Sequence, residues 1–478
     1  MTTYIGLDLG TSSLKAILIG EDQSVLAEHH VPLDVSRPHD GWSEQDPADW
    51  ERAVREALGA LASKADLSDL AGIGLSGHMH GATLLDRSGE VLRPCLLWND
   101  TRSHAEAAEM DADPRFRAIT GNIVFPGFTA PKVEWVRRNE PGVFTRIRTV
   151  LLPKDYLRYV LTGERVSEMS DAAGTAWFDT GARDWSDELL GLCGLDRDQM
   201  PALVEGSEAS GRLRADLAAE LGLPRAVVAG GAGDNAAAAI GLGVVPDGTA
   251  FLSLGTSGVL FAANDGYRPD PATAVHAFCH AVPGTWHQMG VILAATDALN
   301  WLSRLTGRAP GELAAGAAAL AAPSRTLFLP YLGGERTPLN DARIRGQFLH
   351  LDHSTDAEAA ARAVMEGVAF AFADCRDVLA RSGTRIERAL VTGGGARSEY
   401  WLKVLATALG IPLDVPASGE FGAAMGAARL GMMATGAGPE VATPPPVARS
   451  VDPDPSLAGA FAEAHARYRA AYQALKDL

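Results

Sequence analysis

Two carboxylates in this chain stand in settings suited to work on phosphate. Asp8 lies in "YIGLDLGTSSLKAIL" (residues 4–18), two residues ahead of a Gly-Thr-Ser turn. Asp234 lies in "GGAGDNAAAAIGLG" (230–243), where glycines open the way into a helix. Small residues in such turns let backbone N–H groups approach phosphate oxygens, and the hydroxyls add donors. The turn is written again in "FLSLGTSGVL" (251–260), about half the chain later, with Ser253 in the place of Asp8. One reading is a tight turn stabilised by local Ser and Thr hydrogen bonds. Two copies so far apart favour two hairpins gripping one triphosphate. Asp8 then serves Mg2+, directly or through water, while a second carboxylate against the phosphates would repel them, so Ser253 is a neutral donor. The phosphate-side candidates are Thr11, Ser12 and Lys15 in the first copy, and Gly255, Thr256 and Ser257 in the second. Asp234 reads either as a helix N-cap or as a base that takes the proton of a hydroxyl attacking a γ-phosphate, and the two roles can coexist.

Other motifs narrow the chemistry. The chain has no Gly-Lys dipeptide, hence no Walker loop. "GIGLSG" (72–77) matches GxGxxG, but the residues after it read as strand, turn and strand, where a dinucleotide site needs a helix. His78 and His80 are expected on one face of a strand, without a third ligand for zinc nearby. Neutral His and Asn donors suit a sugar, and "LWNDTR" (97–102) adds Trp98, Asn99, Asp100 and Arg102.

These residues need elements to hold them. Ile5, Leu7 and Leu9 alternate with Gly6, Asp8 and Gly10, the pattern of a strand entering a hairpin, and Leu252 and Leu254 repeat it. "AVVAGGAGDN" and "ALVTGGGARSEYWLKVLATALG" (389–410) each predict an apolar strand ending in glycines before a helix. Asp46 and Pro47 mark the start of a helix that buries Trp50, Val54, Leu58 and Leu61. Residues 435–456 read as a Pro-rich connection to a last helix, 457–476, packed on the second domain. The expectation is an α/β protein of two duplicated domains, 1–244 and 245–478, around a cleft.

A net charge of −17 argues against a nucleic-acid surface and against anionic membranes. Four separated cysteines and the lack of an apolar leader or spanning stretch point to a cytoplasmic protein.

In order along the chain, "GLDLGTSSLKAIL", "GWSEQDPADW", "GLSGHMHGATLLD", "LRPCLLWNDTR", "PKDYLRYVLTGE", "GAGDNAAAAIGLG", "LSLGTSGV", "FLPYLGGERTPLNDARIRGQF" and "TGGGARSEYW" resemble the FGGY carbohydrate kinases from end to end. The resemblance implies the actin-like ATPase fold, two RNase H-like domains closing on ATP and a sugar, and Mg2+ as the metal. It implies Asp234 as catalytic base and Asp8 near metal and phosphate. Met79, His80 and Asn235 match sugar contacts, with Trp98 and Asn99 beside them, and Gly393, Gly394 and Gly395 match the adenosine motif. The sugar-side segments are most similar to the branch acting on D-xylulose. Another ketose or polyol, or an ATPase without a sugar acceptor, are the other readings. One departure is His78, where close relatives often carry Gln. Relatives also suggest a homodimer.

Overall fold

The computed structural model describes residues 1–417 and 422–477. Two seven-stranded sheets carry the two halves of the chain. In the first, β1 (Thr3–Leu9), β2 (Ser13–Gly20) and β3 (Val25–Pro32) run antiparallel. β4 (Leu70–Gly77) lies parallel to β1 on its other side, followed by β5 (Ala209–Arg212) and β6 (Val227–Ala229) in the order β5-β6-β4-β1-β2-β3. The short strand Ala232–Gly233 pairs with the far end of β4, at Ser76 and Gly77.

The second sheet repeats the plan. β7 (Ala250–Leu254) and β8 (Gly258–Asn264) form its hairpin; β9 (His276–Cys279) and β10 (Trp286–Ile292) extend it antiparallel. β11 (Ala389–Thr392) pairs parallel with β7 as β4 does with β1, and β12 (Leu413–Pro416) and β13 (Val447–Val451) close the order β9-β10-β8-β7-β11-β12-β13. The Pro-rich segment is therefore more than a connection: β13 within it is antiparallel to β12.

The helices packed around these sheets include α1 (Pro47–Lys64), α2 (Asp234–Gly241), α3 (Ala357–Arg381), α4 (Glu399–Leu409), α5 (Gly422–Ala434) and α6 (Ala458–Leu475). Asp46 caps α1 as expected, accepting from the Ala48 N–H at 3.0 Å, and the Trp50 face is buried with Ile5, Leu7 and Leu9. α6 buries Phe461, Ala464, Tyr468 and Tyr472 in the core of the second half, also as expected.

α5 behaves otherwise. Late in the chain, it lies against the first sheet and crosses α2. A Cβ at Gly6 would stand 2.0 Å from the Ala424 carbonyl oxygen, one at Gly74 only 1.6 Å from that of Ala427, and one at Gly426 1.8 Å from that of Ala237. Arg429 of α5, buried, donates to the Ile240 and Gly241 carbonyls at 3.0 and 3.1 Å, which satisfies the end of α2.

Candidate active site

The first hairpin closes through the Gly10 N–H, which donates to the Ser13 carbonyl at 2.9 Å, so Thr11 and Ser12 form its tip. Asp8 sits across from Lys15 on β2 and beside Ser76 on β4. Ser76 Oγ donates to Asp8 at 2.9 Å, and burial holds this carboxyl above its ordinary pKa. In the second sheet Ser253 takes the equivalent register, between Val259 and Thr392, ahead of Gly255, Thr256 and Ser257. The Gly255 carbonyl accepts from the N–H and hydroxyl of Thr296, at 2.9 and 2.8 Å, which ties this turn to the helix Thr296–Thr306.

Asp234 is not the N-cap of α2. Gly233 takes that position, and Asp234 is the first helical residue. Its Oδ1 accepts from the backbone N–H and side-chain amide of Asn235, at 2.7 and 2.9 Å. Burial, and after it the negative charge of Asp8, push the Asp234 carboxyl up to about 6. Both carboxylates flank the end of β4: Asp8 across its Ser76, Asp234 directly after the strand that pairs with Ser76 and Gly77. Gly233 clears room for Met79, whose Sδ would lie 2.9 Å from a Cβ there.

β4 ends at Gly77, so His78 and His80 do not share a strand face. His78 N–H donates to the Leu9 carbonyl at 2.9 Å, and its buried ring nitrogens have no hydrogen-bond partner. His80 has φ +70°, a left-handed backbone. Its Nδ1 lies 2.8 Å from the Gly174 carbonyl oxygen, and the ring stacks on Phe128 with centroids 4.8 Å apart. Burial pushes both imidazoles down to about 3, with the Lys132 charge adding to it, so they are neutral at physiological pH.

Trp98 stands 48% exposed, and its indole N–H donates to Thr11 Oγ1 at 3.0 Å, linking "WND" to the first hairpin. Asn99 Oδ1 is buried without a donor, an acceptor held open. Asp100 and Arg102 pair with each other in the interior, and the guanidinium lies 3.5 Å over the Trp42 ring. They brace the segment.

On the other side, a Cβ at Gly393 (φ +90°) would meet the Leu254 carbonyl at 2.6 Å, and one at Gly395 the Leu254 side chain at 2.4 Å. The glycine loop thus packs directly on the second hairpin. Gly394 faces open space, and beside it a cavity of about 660 Å³ is walled by Thr296, Leu299, Asn300, Gly395, Ser398 and Tyr400. The Tyr400 hydroxyl is buried there without a partner. Ser76, Gly174 and the residues holding His80 were not singled out from sequence. "GLSG" contained Ser76, but no local signal marked the others.

Residues 3–241 match the N-terminal domain, and residues 250–435 the C-terminal domain, of the FGGY family of carbohydrate kinases. The chain is 48% identical to a xylulose kinase of Escherichia coli, over 99% of each chain. It is 60% identical to the crystal structure of a xyloylose kinase from Brucella ovis, with a TM-score of 0.98 over 99% of each chain. The xylulose kinase structure from Rhodospirillum rubrum, 33% identical, superimposes with a TM-score of 0.94, again over 99% of each. The duplicated sheets are those of the actin-like ATPase fold that such sugar kinases share. Within that fold, this chain belongs to the FGGY family of carbohydrate kinases. It is a sugar kinase with ATP as co-substrate.

Proposed function

We propose that the chain transfers the terminal phosphoryl group of ATP to D-xylulose, forming D-xylulose 5-phosphate. The observation that carries the chemistry is the placement of the Asp234 and Asp8 carboxyls on either side of the end of β4, where burial pushes that of Asp234 up to about 6. A base of that pKa is largely ionised at neutral pH and still a fair proton acceptor. Asp234 takes the proton of the sugar's terminal hydroxyl as that oxygen attacks the γ-phosphorus in line and ADP leaves. Met79 gives the sugar an apolar wall, while His80, Trp98, Asn99 and Asn235 supply polar contacts. The Thr11–Ser12 and Thr256–Ser257 turns, with Gly255 and Lys15, hold the phosphates. Gly393, Gly394 and Gly395 border the adenosine.

Asp8, with one hydrogen-bond donor on Oδ1, suits Mg2+, which usually takes one or two carboxylates and completes its shell with water and substrate phosphates. Among the described residues no group of three or more His, Cys, Asp or Glu forms a metal cage. Bound at Asp8, Mg2+ would neutralise charge on the transferring phosphates. The same reading divides the chain at 244/245, sets it in the cytoplasm and pairs it as a homodimer. Among the described residues no helix is long and apolar enough to cross a membrane.

The test is ADP release from MgATP with D-xylulose, D-ribulose, L-ribulose, gluconate, glycerol or no sugar. Turnover confined to D-xylulose is expected. Preference for another acceptor would overturn the sugar assignment, and release indifferent to every sugar would overturn the acceptor site itself.

A further inference from the structure

His80 holds a left-handed backbone, φ +70°, uncommon for a residue with a Cβ and kept only where surroundings impose it. The surroundings are specific. Its carbonyl oxygen accepts from Thr129 Oγ1 at 3.1 Å and from Lys132 Nζ at 3.0 Å. Its ring is fixed by the Gly174 carbonyl and Phe128, and a Cβ at Gly174 would come within 2.4 Å of it. Thr129 and Lys132 sit three residues apart in the helix Thr129–Asn139, neighbours on one face, so both reach a single carbonyl.

Lys132 is fully buried, and among the described residues no carboxylate stands within ion-pair distance of it. Its remaining bond is to the Gly127 carbonyl. Burial pushes its ammonium down to about 7. An ammonium placed in the interior without a close counter-ion is costly, a cost that an apolar residue of similar size avoids. Among the described residues its hydrogen bonds go to the two carbonyls, and Asp100 acts on it only from beyond ion-pair distance.

We infer that Lys132 is a positioning residue for the acceptor sugar: with Thr129 it clamps the His80 carbonyl, which presents the imidazole to the sugar in one orientation. This rests on the reading that His80 touches the sugar. Lys132 itself does not take part in the chemistry; without it the His80 backbone relaxes and the ring samples other directions.

The test is the steady-state kinetics of Lys132→Met, His80→Ala and the double variant. Lys132→Met should raise KM for D-xylulose about 10- to 100-fold, leave KM for ATP unchanged and alter kcat only a few-fold, with Tm equal to or above that of the parent. His80→Ala should raise the same KM, and the double variant should be no worse than His80→Ala alone, because both act through one group. An unchanged sugar KM in Lys132→Met, beside a raised one in His80→Ala, overturns the clamp and spares the sugar site. An unchanged sugar KM in His80→Ala overturns the sugar-site reading and the clamp with it. Parallel loss of kcat, both KM values and Tm would mark Lys132 as merely structural. Should Lys132→Met fail to fold, Thr129→Val removes a second donor from the same carbonyl and must raise the sugar KM in the same way.

Discussion

In the mechanism proposed above, Asp234 is where chemistry and stability pull in opposite directions. To accept a proton it must be ionised, so kcat/KM for D-xylulose should fall about tenfold per pH unit below about 6, where this carboxyl protonates. Part of that elevation comes from Asp8. In the protein free of metal and nucleotide, Asp8→Asn should therefore lower the pH at which Asp234 titrates; an unmoved midpoint would break the electrostatic link. The stability sign follows from the raised folded pKa. Between about 4, where the unfolded carboxyl titrates, and about 6, the folded state binds the extra proton, so stability is lost as pH rises through that window. Asp234→Asn should thus drop turnover by about 10²–10⁴-fold while melting roughly 1–3 °C higher at pH 7 in calorimetry. A variant that loses activity and also melts lower would show that Asp234 has a supporting role in the fold. The positions of Asp8 and Asp234 beside glycine turns are plain in the sequence, although Asp234 also reads there as a helix N-cap, a place that Gly233 takes instead. His80 was half legible. Its type suggested a polar contact, yet its left-handed backbone depends on Thr129 and Lys132, some fifty residues away.

At the scale of elements, the hairpins, the glycine loops and α1 could be read from alternation, turn residues and a cap, all local signals. α5 could not. Its Ala and Gly residues give only a weak helical stripe, and what they touch is set by the glycines of β1, β4 and α2. Nor could β13, whose pairing with β12 overrides the prolines preceding it. The fit of α5 leaves no slack. Gly74→Ala puts a methyl carbon where the Ala427 carbonyl oxygen stands, and backbone cannot swing aside as a long side chain can. We expect that variant to lose on the order of 1–3 kcal/mol of stability or more, read as a lower denaturant midpoint, and to lose turnover as β4 and its two flanking carboxylates shift. Gly59→Ala in α1, where a Cβ meets nothing within 4 Å, is the matched control and should be neutral or slightly stabilising. Equal behaviour of the two variants would contradict the close packing of α5 on the sheet.

Across the whole molecule, the two halves are alike in plan but not independent in construction. The first sheet supplies Asp8 and its hairpin, the second supplies the other hairpin and the glycine loop, and α5 passes from the second half of the sequence to cover the first sheet. Residues 1–244 alone would leave Gly6, Gly72 and Gly74 facing water where α5 belongs. Expressed by itself, that fragment should aggregate or unfold without a sharp calorimetric transition, and a single cooperative peak would refute this.

The same crossing sets a timetable for birth on the ribosome. α2 is complete at residue 241, but its partner begins only at 422. At about 5–20 residues per second, the first half waits on the order of ten to forty seconds with a sticky face uncovered. Nascent chains should therefore occupy a chaperone throughout that interval and leave it only once α5 has emerged, so the protein matures late and nearly all at once.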